Sequence, residues 1–230
     1  MALYAMADLH LSLGTNKPMD DFKGWHRYME RIQENWLNTI KDEDIVVVAG
    51  DVSWGMSMEQ ALEDFRFLDS LPGTKLLLKG NHDYWWETRR KMERFFEEHC
   101  LDSLRIVHND CFDLGDGRAV CGTRGWFYDA EADADKKVLM REIGRLHTSV
   151  EAARSRGLEP LVFLHYPPLF AGALCREMID ALTELKIKQC FYGHIHGRSA
   201  FEKSFCGVYN GITMQLVSAD YLQFAPLLIP

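Results

Sequence analysis

Short apolar runs, each stopped by a glycine or a polar turn, constrain this sequence more than any other feature. Leu76-Leu77-Leu78 leads into Gly80-Asn81-His82-Asp83, and Tyr84 to Glu98 follows with the pattern of a helix. The apolar run reads as a buried strand. A strand that ends in a glycine turn presents its next side chains at the carboxyl edge of a sheet, where α/β proteins place their sites. An amide oxygen, an imidazole and a carboxylate pack poorly in a core but serve well as metal ligands and proton donors. The same punctuation recurs along the chain. Leu3 to Ala7 stops at Asp8-Leu9-His10, and Ile45 to Ala49 stops at Gly50-Asp51. Leu161 to Leu164 stops at His165-Tyr166-Pro167-Pro168, and Gln189 to Tyr192 stops at Gly193-His194-Ile195-His196-Gly197.

Helical segments lie between these runs. Asp20 to Ile40 places Trp25, Tyr28, Met29, Ile32, Trp36 and Leu37 on one apolar stripe, read as core packing. Ser57 to Leu71 opens with a capping box of Ser57 and Gln60 and stops at Pro72-Gly73. Ala134 to Arg156 is charged enough for a long surface helix, and Cys175 to Leu185 is a further helix. Leu104 to Val107, Cys111 to Leu114 and Ala119 to Cys121 read as strands, the last two joined by a hairpin at Asp116-Gly117. The tail alternates as antiparallel strands around Phe201, Val208 to Asn210 and Thr213 to Val217. Its apolar ending, Phe224 to Pro230, is expected to pack on the chain's own core. No repeat, low-complexity tract or linker divides the chain, so a single domain over 1–230 is expected. A first half rich in βαβ units and a second rich in hairpins predict an α/β fold of two packed sheets flanked by helices.

Composition narrows the setting. A net charge of −8 argues against a broad basic surface for nucleic acid. Six cysteines without a CxxC pair fit a reduced, intracellular protein. Met1 to Met6 has neither the basic segment nor the apolar core of a signal peptide, and no apolar run approaches the ~18 residues of a membrane span. The expected location is cytoplasmic, with no membrane partner.

Five of the nine histidines, His10, His82, His165, His194 and His196, follow predicted strands directly. Asp8, Asp51 and Asn81 stand in equivalent places. One such histidine is usually a hydrogen-bonded structural residue; the whole set is hard to assign to packing. In Asp8-x-His10 and His194-x-His196, residues two apart in an extended segment point the same way, so each pair is expected to serve one place. Imidazole, carboxylate and amide oxygen without thiolate suit Mn, Fe, Zn, Co or Ni. Eight such residues are too many for one ion and fit two ions sharing a carboxylate.

The ordered series Asp8-x-His10, Gly50-Asp51, Gly80-Asn81-His82-Asp83, His165 and Gly193-His194-x-His196 resembles the calcineurin-like metallophosphoesterase superfamily. The motifs span residues 8 to 196 in the family order. The resemblance implies that Asp8, His10 and His196 hold one metal, that Asn81, His165 and His194 hold the other, and that Asp51 bridges them. It also implies a four-layered α-β-β-α sandwich of two mixed β-sheets, with the dimetal site at the carboxyl ends of the strands.

The expected chemistry is attack by a metal-activated hydroxide on a phosphoester. His82 is the candidate to protonate the leaving oxygen or to hydrogen-bond the phosphate, with Asp83 orienting its imidazole; the alternative for Asp83 is a helix N-cap. Arg124, between glycines, is the candidate for a bidentate phosphate contact, or else a surface arginine. Trp54, Tyr84, Trp85, Trp86, Trp126 and Tyr128 lie on or just after these loops, where they either stack a flat group of the substrate or pack the core. The protein serine/threonine phosphatases of the superfamily carry Asp-Arg-Gly and Asn-His-Glu where this chain has Asp51-Val52-Ser53 and Asn81-His82-Asp83. These departures point away from a phosphoprotein toward a small phosphoester, and the aromatic residues on the loops favour a small-molecule phosphodiester. A phosphomonoester or phosphoprotein on the same site, a metal-binding scaffold without catalysis, and a nuclease are the alternatives.

Overall fold

The computed structural model describes residues 1–126 and 133–230. The apolar runs form two sheets. In the first, β1 (Leu3–Met6), β2 (Ile45–Val48), β3 (Thr74–Leu77) and β4 (Leu104–Ile106) run parallel, and β13 (Leu227–Ile229) pairs antiparallel on the outer side of β1. The second is built on parallel β6 (Arg118–Thr123), β7 (Glu159–Leu164), β10 (Gln189–Tyr192) and β12 (Ile212–Leu216). Antiparallel β5 (Phe112–Asp113) and β11 (Gly207–Tyr209) form its edges, and β8 (Leu169–Phe170) pairs with β9 (Ala173–Leu174) in a separate hairpin.

Both faces of each sheet are covered, which is why the strands read as unbroken apolar runs. On the inner faces, Leu3, Ala5, Val47 and Leu76 meet Val120, Leu161, Phe163 and Phe191. Outward, Met6, Val46, Val48 and Leu77 pack on α1 (Tyr28–Thr39), α2 (Leu62–Ser70) and α3 (Arg89–Glu98) through Ile32, Trp36, Phe65, Met92 and Phe96. On the far side, Cys121, Val162, Leu164, Cys190 and Met214 pack on α4 (Asp133–Arg154) and α5 (Arg176–Glu184) through Leu139, Leu146, Val150, Met178 and Leu182. Each Val, Leu, Ile, Phe or Met so buried contributes roughly 1.5–3 kcal/mol. The layers are helix, sheet, sheet, helix, as expected. A short α6 (Arg198–Phe201) follows β10.

Several predicted bounds shift. The helix expected from Asp20 begins at Tyr28, because Gly24 and Arg27 take φ of 97° and 51° and break the run. Trp25 is buried all the same, against Tyr28 and Phe224, while Leu37 of the same stripe is exposed. At Ser57 the capping box is half formed. Gln60 N–H donates to Ser57 Oγ at 3.4 Å, but Gln60 Oε1 accepts from Met56 N–H, so the segment is a turn and α2 starts five residues later. The tail does pack on its own core, as β13. The charged helix α4 is a surface helix on one side only; its other side buries Leu139, Ile143, Leu146 and Val150.

The two sheets meet at their carboxyl ends. Ala7 N–H donates to Val217 O at 2.7 Å and Ala219 N–H to Ala7 O at 2.9 Å, joining the end of β1 to the end of β12. Asp8 N–H to Gly50 O (2.9 Å) and Gly193 N–H to His165 O (3.1 Å) tie the neighbouring strand ends together. All five polar turns therefore open on one edge.

Candidate metal centre

Asp8, His10, Asp51 and His194 have left-handed backbones, with φ of 62°, 47°, 52° and 72°. Each such residue costs about 1–3 kcal/mol and persists only where its surroundings impose it. Here the reversal turns the side chain back over the strand end. Two glycines make room: a Cβ on Gly80 would lie 2.1 Å from Asp51 Oδ1, and one on Gly193 would lie 2.6 Å from Asp8 Oδ2.

The donors form two groups. Atoms of Asp8, His10 and His196 lie within 4.8 Å of one another, and so do atoms of Asp51, His165 and His194. In the first, His196 Nε2 is 3.3 Å from His10 Nε2 and 3.5 Å from Asp8 Oδ1. In the second, Asn81 Oδ1 is 2.6 Å from His165 Nε2. Asp51 Oδ2 lies between the groups, 3.7 Å from His10 Nε2 and 3.5 Å from His165 Nε2. The extended-spacing argument fails for His194 and His196, which part into different groups because the backbone at His194 is left-handed. Asp8 and His10 do share a group, but through two left-handed residues rather than an extended segment.

Two imidazoles are fixed from behind. His165 Nδ1 lies 3.2 Å from Ala49 O, and His196 Nδ1 lies 3.0 Å from Asp220 Oδ1. Each contact requires the proton on Nδ1, which leaves Nε2 facing the cleft. There, Nε2 of His165 meets the acceptor Asn81 Oδ1, and Nε2 of His196 meets Asp8 Oδ1 and a second imidazole nitrogen. Acceptors converging on acceptors are the arrangement that a cation resolves, so these residues fit two metal ions.

Their electrostatics agree. Burial, reinforced by Asp8, pushes the Asp51 carboxyl up to about 8. Burial and His165 bring the His194 imidazole down to about 3. Burial works against charge on Asp8, but His196, His165 and His10 hold its carboxyl well below the usual range. Burial likewise opposes charge on His196, but Asp8 and Asp220 carry it up to about 10. A proton on His196 thus meets part of the demand for positive charge that an ion would meet fully.

Asp83 departs from expectation. Its buried carboxylate accepts from the N–H groups of Asp51 (2.9 Å), Val52 (2.8 Å) and Gly80 (2.7 Å), and from Trp85 Nε1 (2.9 Å). It is turned to the backbone beneath the site, so it orients the Asp51 and Gly80 loops and not the His82 imidazole, whose Nδ1 has no partner. Nor does Asp83 cap a helix, since α3 begins only at Arg89 behind Thr88. His82 itself is half-buried on the cleft, its ring 4.5 Å from Trp54 and 5.7 Å from His10. Burial and His165 lower its pKa.

Arg124 turns its guanidinium to buried Glu142 of α4 (3.6 Å) and over Trp126 (4.5 Å). Its carbonyl accepts from the N–H groups of His165 (3.1 Å) and Tyr166 (2.9 Å), which shapes the His165 loop. Among the aromatics, Trp85 is core against Phe65, Trp86 is half-buried beside His108, Trp126 packs on Tyr166, and Tyr84 is exposed 6.1 Å from His82. Of the described members of this set, Trp54 alone stacks on a cluster residue, His10, at 4.8 Å. Tyr128 lies outside the described residues.

Three positioning residues escaped the sequence reading. Asp220 holds His196 and Gly197 N–H (3.0 Å). Asp64 of α2 accepts from Leu13 N–H (2.7 Å) and Ser53 Oγ (2.5 Å), binding the Asp8 and Asp51 loops together. Tyr28 donates to His10 O at 2.8 Å. Asp220 carried a weaker signal: it stands in the turn after the Thr213 to Val217 run, beyond Ser218 and Ala219, where Asp8 follows Leu3 to Ala7 directly.

All six cysteines are free, and no described helix is long and apolar enough to cross a membrane. The family model for the calcineurin-like phosphoesterases matches residues 1–198. An uncharacterised protein of Methanocaldococcus jannaschii, MJ1445, is 26% identical over an alignment of 117 residues that covers 47% of this chain and 64% of that protein, less than two thirds of its length. The fold is similar to that of AQ665 from Aquifex aeolicus, a protein of unknown function (TM-score 0.53, 19% identity, 99% of this chain and 95% of that one). It is also similar to phosphopantetheinyl hydrolase from Mycobacterium tuberculosis (TM-score 0.52, 16% identity, 99% and 95%).

Proposed function

The chain belongs to the calcineurin-like phosphoesterases and is a metal-dependent phosphoesterase, and from that premise we propose that it hydrolyses a small-molecule phosphodiester at the two joined clusters. The observation that carries this reading is the single oxygen, Asp51 Oδ2, within 3.7 Å of donors from both clusters. Asp8, His10 and His196 would hold one ion, Asn81, His165 and His194 the other, and Asp51 both. Donors without thiolate favour Mn, Fe, Zn, Co or Ni. Bound ions would supply Lewis-acid polarisation of the phosphoryl oxygens and a more acidic water.

The chain's own residues do the rest. Asp220 and Ala49 O keep the Nδ1 protons of His196 and His165 away from the cleft, so that both Nε2 lone pairs stay directed into it. His82, free of any partner at Nδ1 and facing the cleft, gives a hydrogen bond or proton from its imidazole to the leaving oxygen. Arg124 is the proposed contact to an outer phosphate oxygen, a role that would require its guanidinium to turn from Glu142 and Trp126 toward the cleft. The diester is preferred over the monoester because a monoanion needs fewer fixed cations, and the cavity at the first cluster is lined by Lys23 alone among lysines and arginines. The reading includes one domain over 1–230 in a reducing, cytoplasmic setting, supported by six unpaired thiols.

The test is hydrolysis of bis-p-nitrophenyl phosphate against p-nitrophenyl phosphate, using metal-stripped protein resupplied with Mn, Fe, Ni, Co, Zn or Mg. Metal-dependent turnover with the diester ahead is the expected result. A lead for the monoester moves the substrate class, and two bound ions without turnover point to a scaffold.

A further inference from the structure

Beside the first cluster the cleft deepens into a cavity of about 430 Å³. Its floor carries His10, His82 and His196, and its walls are Trp54, Trp25, Phe22 and Met19. Trp25, Phe22 and Met19 come from the segment between β1 and α1, where the helix expected from Asp20 does not form. That break is what brings them to the site: Gly24 and Arg27 reverse the chain and set the Trp25 ring 5.4 Å from His196. Trp54 stacks on His10 at 4.8 Å and also faces His82. Trp54 Nε1 is buried without a hydrogen-bond partner, although indole N–H groups are ordinarily satisfied when buried. Phe22 is 60% exposed, a large ring held at the rim with most of its surface uncovered. Lys23 lines the same rim, and Lys17 Nζ stands 5.5 Å from the Trp54 ring centre.

A purely structural cluster would bury Phe22 and satisfy Trp54 Nε1. Instead the apolar walls open onto the residues that would hold the phosphoryl group, and the cations stand at the rim. The size is at the low end for small-molecule sites, large enough for one or two fused rings. We infer that this cavity is the subsite for the organic substituent of the ester, and that the substituent is a planar aromatic or heteroaromatic group bearing an acceptor or anionic edge toward Lys23 and Lys17. The occupant is part of an anionic ester, so the lysines complement it in charge, and aromatic rings favour edge-to-face contact with the Trp25 and Phe22 rings over contact with a puckered ring. This inference rests on the phosphoesterase reading and names the substrate class for it.

The experiment uses the full chain loaded with Mn and four probes that cannot be hydrolysed: methylphosphonate, cyclohexylphosphonate, phenylphosphonate and 2-naphthylphosphonate. Affinity is read by tryptophan fluorescence and by inhibition of bis-p-nitrophenyl phosphate hydrolysis. In the native protein, 2-naphthylphosphonate is expected to bind about ten-fold tighter or more than methylphosphonate, the gain from covering a ring system. Phenylphosphonate is expected to bind about three-fold tighter than cyclohexylphosphonate. Phe22→Ala and Trp54→Leu should each shrink the naphthyl-to-methyl ratio, Phe22→Ala serving as the variant least able to disturb the fold. Equal binding of all four probes, or an unchanged ratio in both variants, overturns the subsite. A cyclohexyl preference overturns the planar group while leaving an apolar one. Absence of hydrolysis with the fluorescence ranking intact would count against the phosphoesterase reading and not against the subsite.

Discussion

The two ends of the first sheet bury polar groups in opposite ways. At the amino ends of the strands, the buried side-chain donors and acceptors of the described residues find partners. Lys75, fully buried, donates to Leu71 O (2.5 Å) and Gly73 O (2.8 Å) behind α2. Asp44 accepts from Ala2 and Lys41 N–H, and Trp36 Nε1 donates to Pro72 O. At the carboxyl ends, the atoms turned to the backbone are equally well satisfied, as Asp83 is. The atoms turned to the cleft are not: one imidazole nitrogen faces another, a second faces the amide oxygen of Asn81, and four of the residues sit in strained backbone. Folding stability is supplied at one end and held back at the other, which separates a site that must receive charge from a scaffold that must not.

The comparison breaks most visibly at Asp51. Asp51→Asn keeps the shape and tolerates the left-handed backbone, but it should lower metal-dependent turnover by ~10³-fold or more. The same change should stabilise the metal-free protein by about 1–3 kcal/mol, because it removes a carboxyl whose charge burial and Asp8 disfavour. Thermal denaturation of stripped protein measures this. A fall in stability would mean that the cleft-facing acceptors are not frustrated at all.

His82→Ala is expected to cost about 10²–10⁴-fold in kcat while leaving two bound ions per chain. The loss should be larger for an alkyl leaving group than for p-nitrophenolate, which needs little protonation. An equal loss for both would make His82 a binder of phosphate and not a proton donor.

Asp220→Asn sharpens the difference between the clusters. Removing a carboxylate behind a metal-binding imidazole commonly costs about 10–100-fold in metal affinity. Calorimetric titration should show that loss for one of two ions, since Asp220 touches only the Asp8–His10–His196 group. A loss shared equally by both would show that the clusters act as one unit.

How much of this was legible depended on range. The strands, the order of the layers and the residues at each strand end follow from local signals, an apolar run and the polar turn after it. Asp51 and Asn81 are readable because a carboxylate or amide directly after a buried strand has few structural uses. The parting of His194 from His196 follows from the family resemblance and not from local spacing, because a left-handed non-glycine residue leaves no mark in the residues around it. Asp83 misled for a related reason: its neighbour in sequence is His82, but two of its partners, the N–H groups of Asp51 and Val52, lie 32 and 31 residues away at another strand end, and only the packed loops reveal them. Trp25 was read correctly as buried and wrongly as helical, since periodicity reports which side chains avoid water and not what the backbone does between them.

The smallest effect is expected at the satisfied end. Lys75→Met leaves Leu71 O and Gly73 O without their donor, so stability should fall by about 1–3 kcal/mol with no change in kcat. The loss should depend on pH. Burial brings the Lys75 ammonium down from 10.5 to about 8, against the pull of Asp69 and Asp42. Below pH 8 folded and unfolded chains both hold the proton, and the cost of burying the charge is fully present. Between about pH 8 and 10.5 the folded chain has released the proton and the unfolded chain has not, so the native protein gains stability as pH rises. The variant lacks that gain, and the stability gap between the two should widen through this window. Denaturant titrations at pH 7 and pH 9.5 measure it. A gap that stays constant would mean that Lys75 keeps its charge in the core, with the carbonyls of Leu71, Gly73 and Asp69 enough to hold it there. The contrast between the ends of the sheet would then lie in geometry alone, with no part played by the ease of giving up a proton.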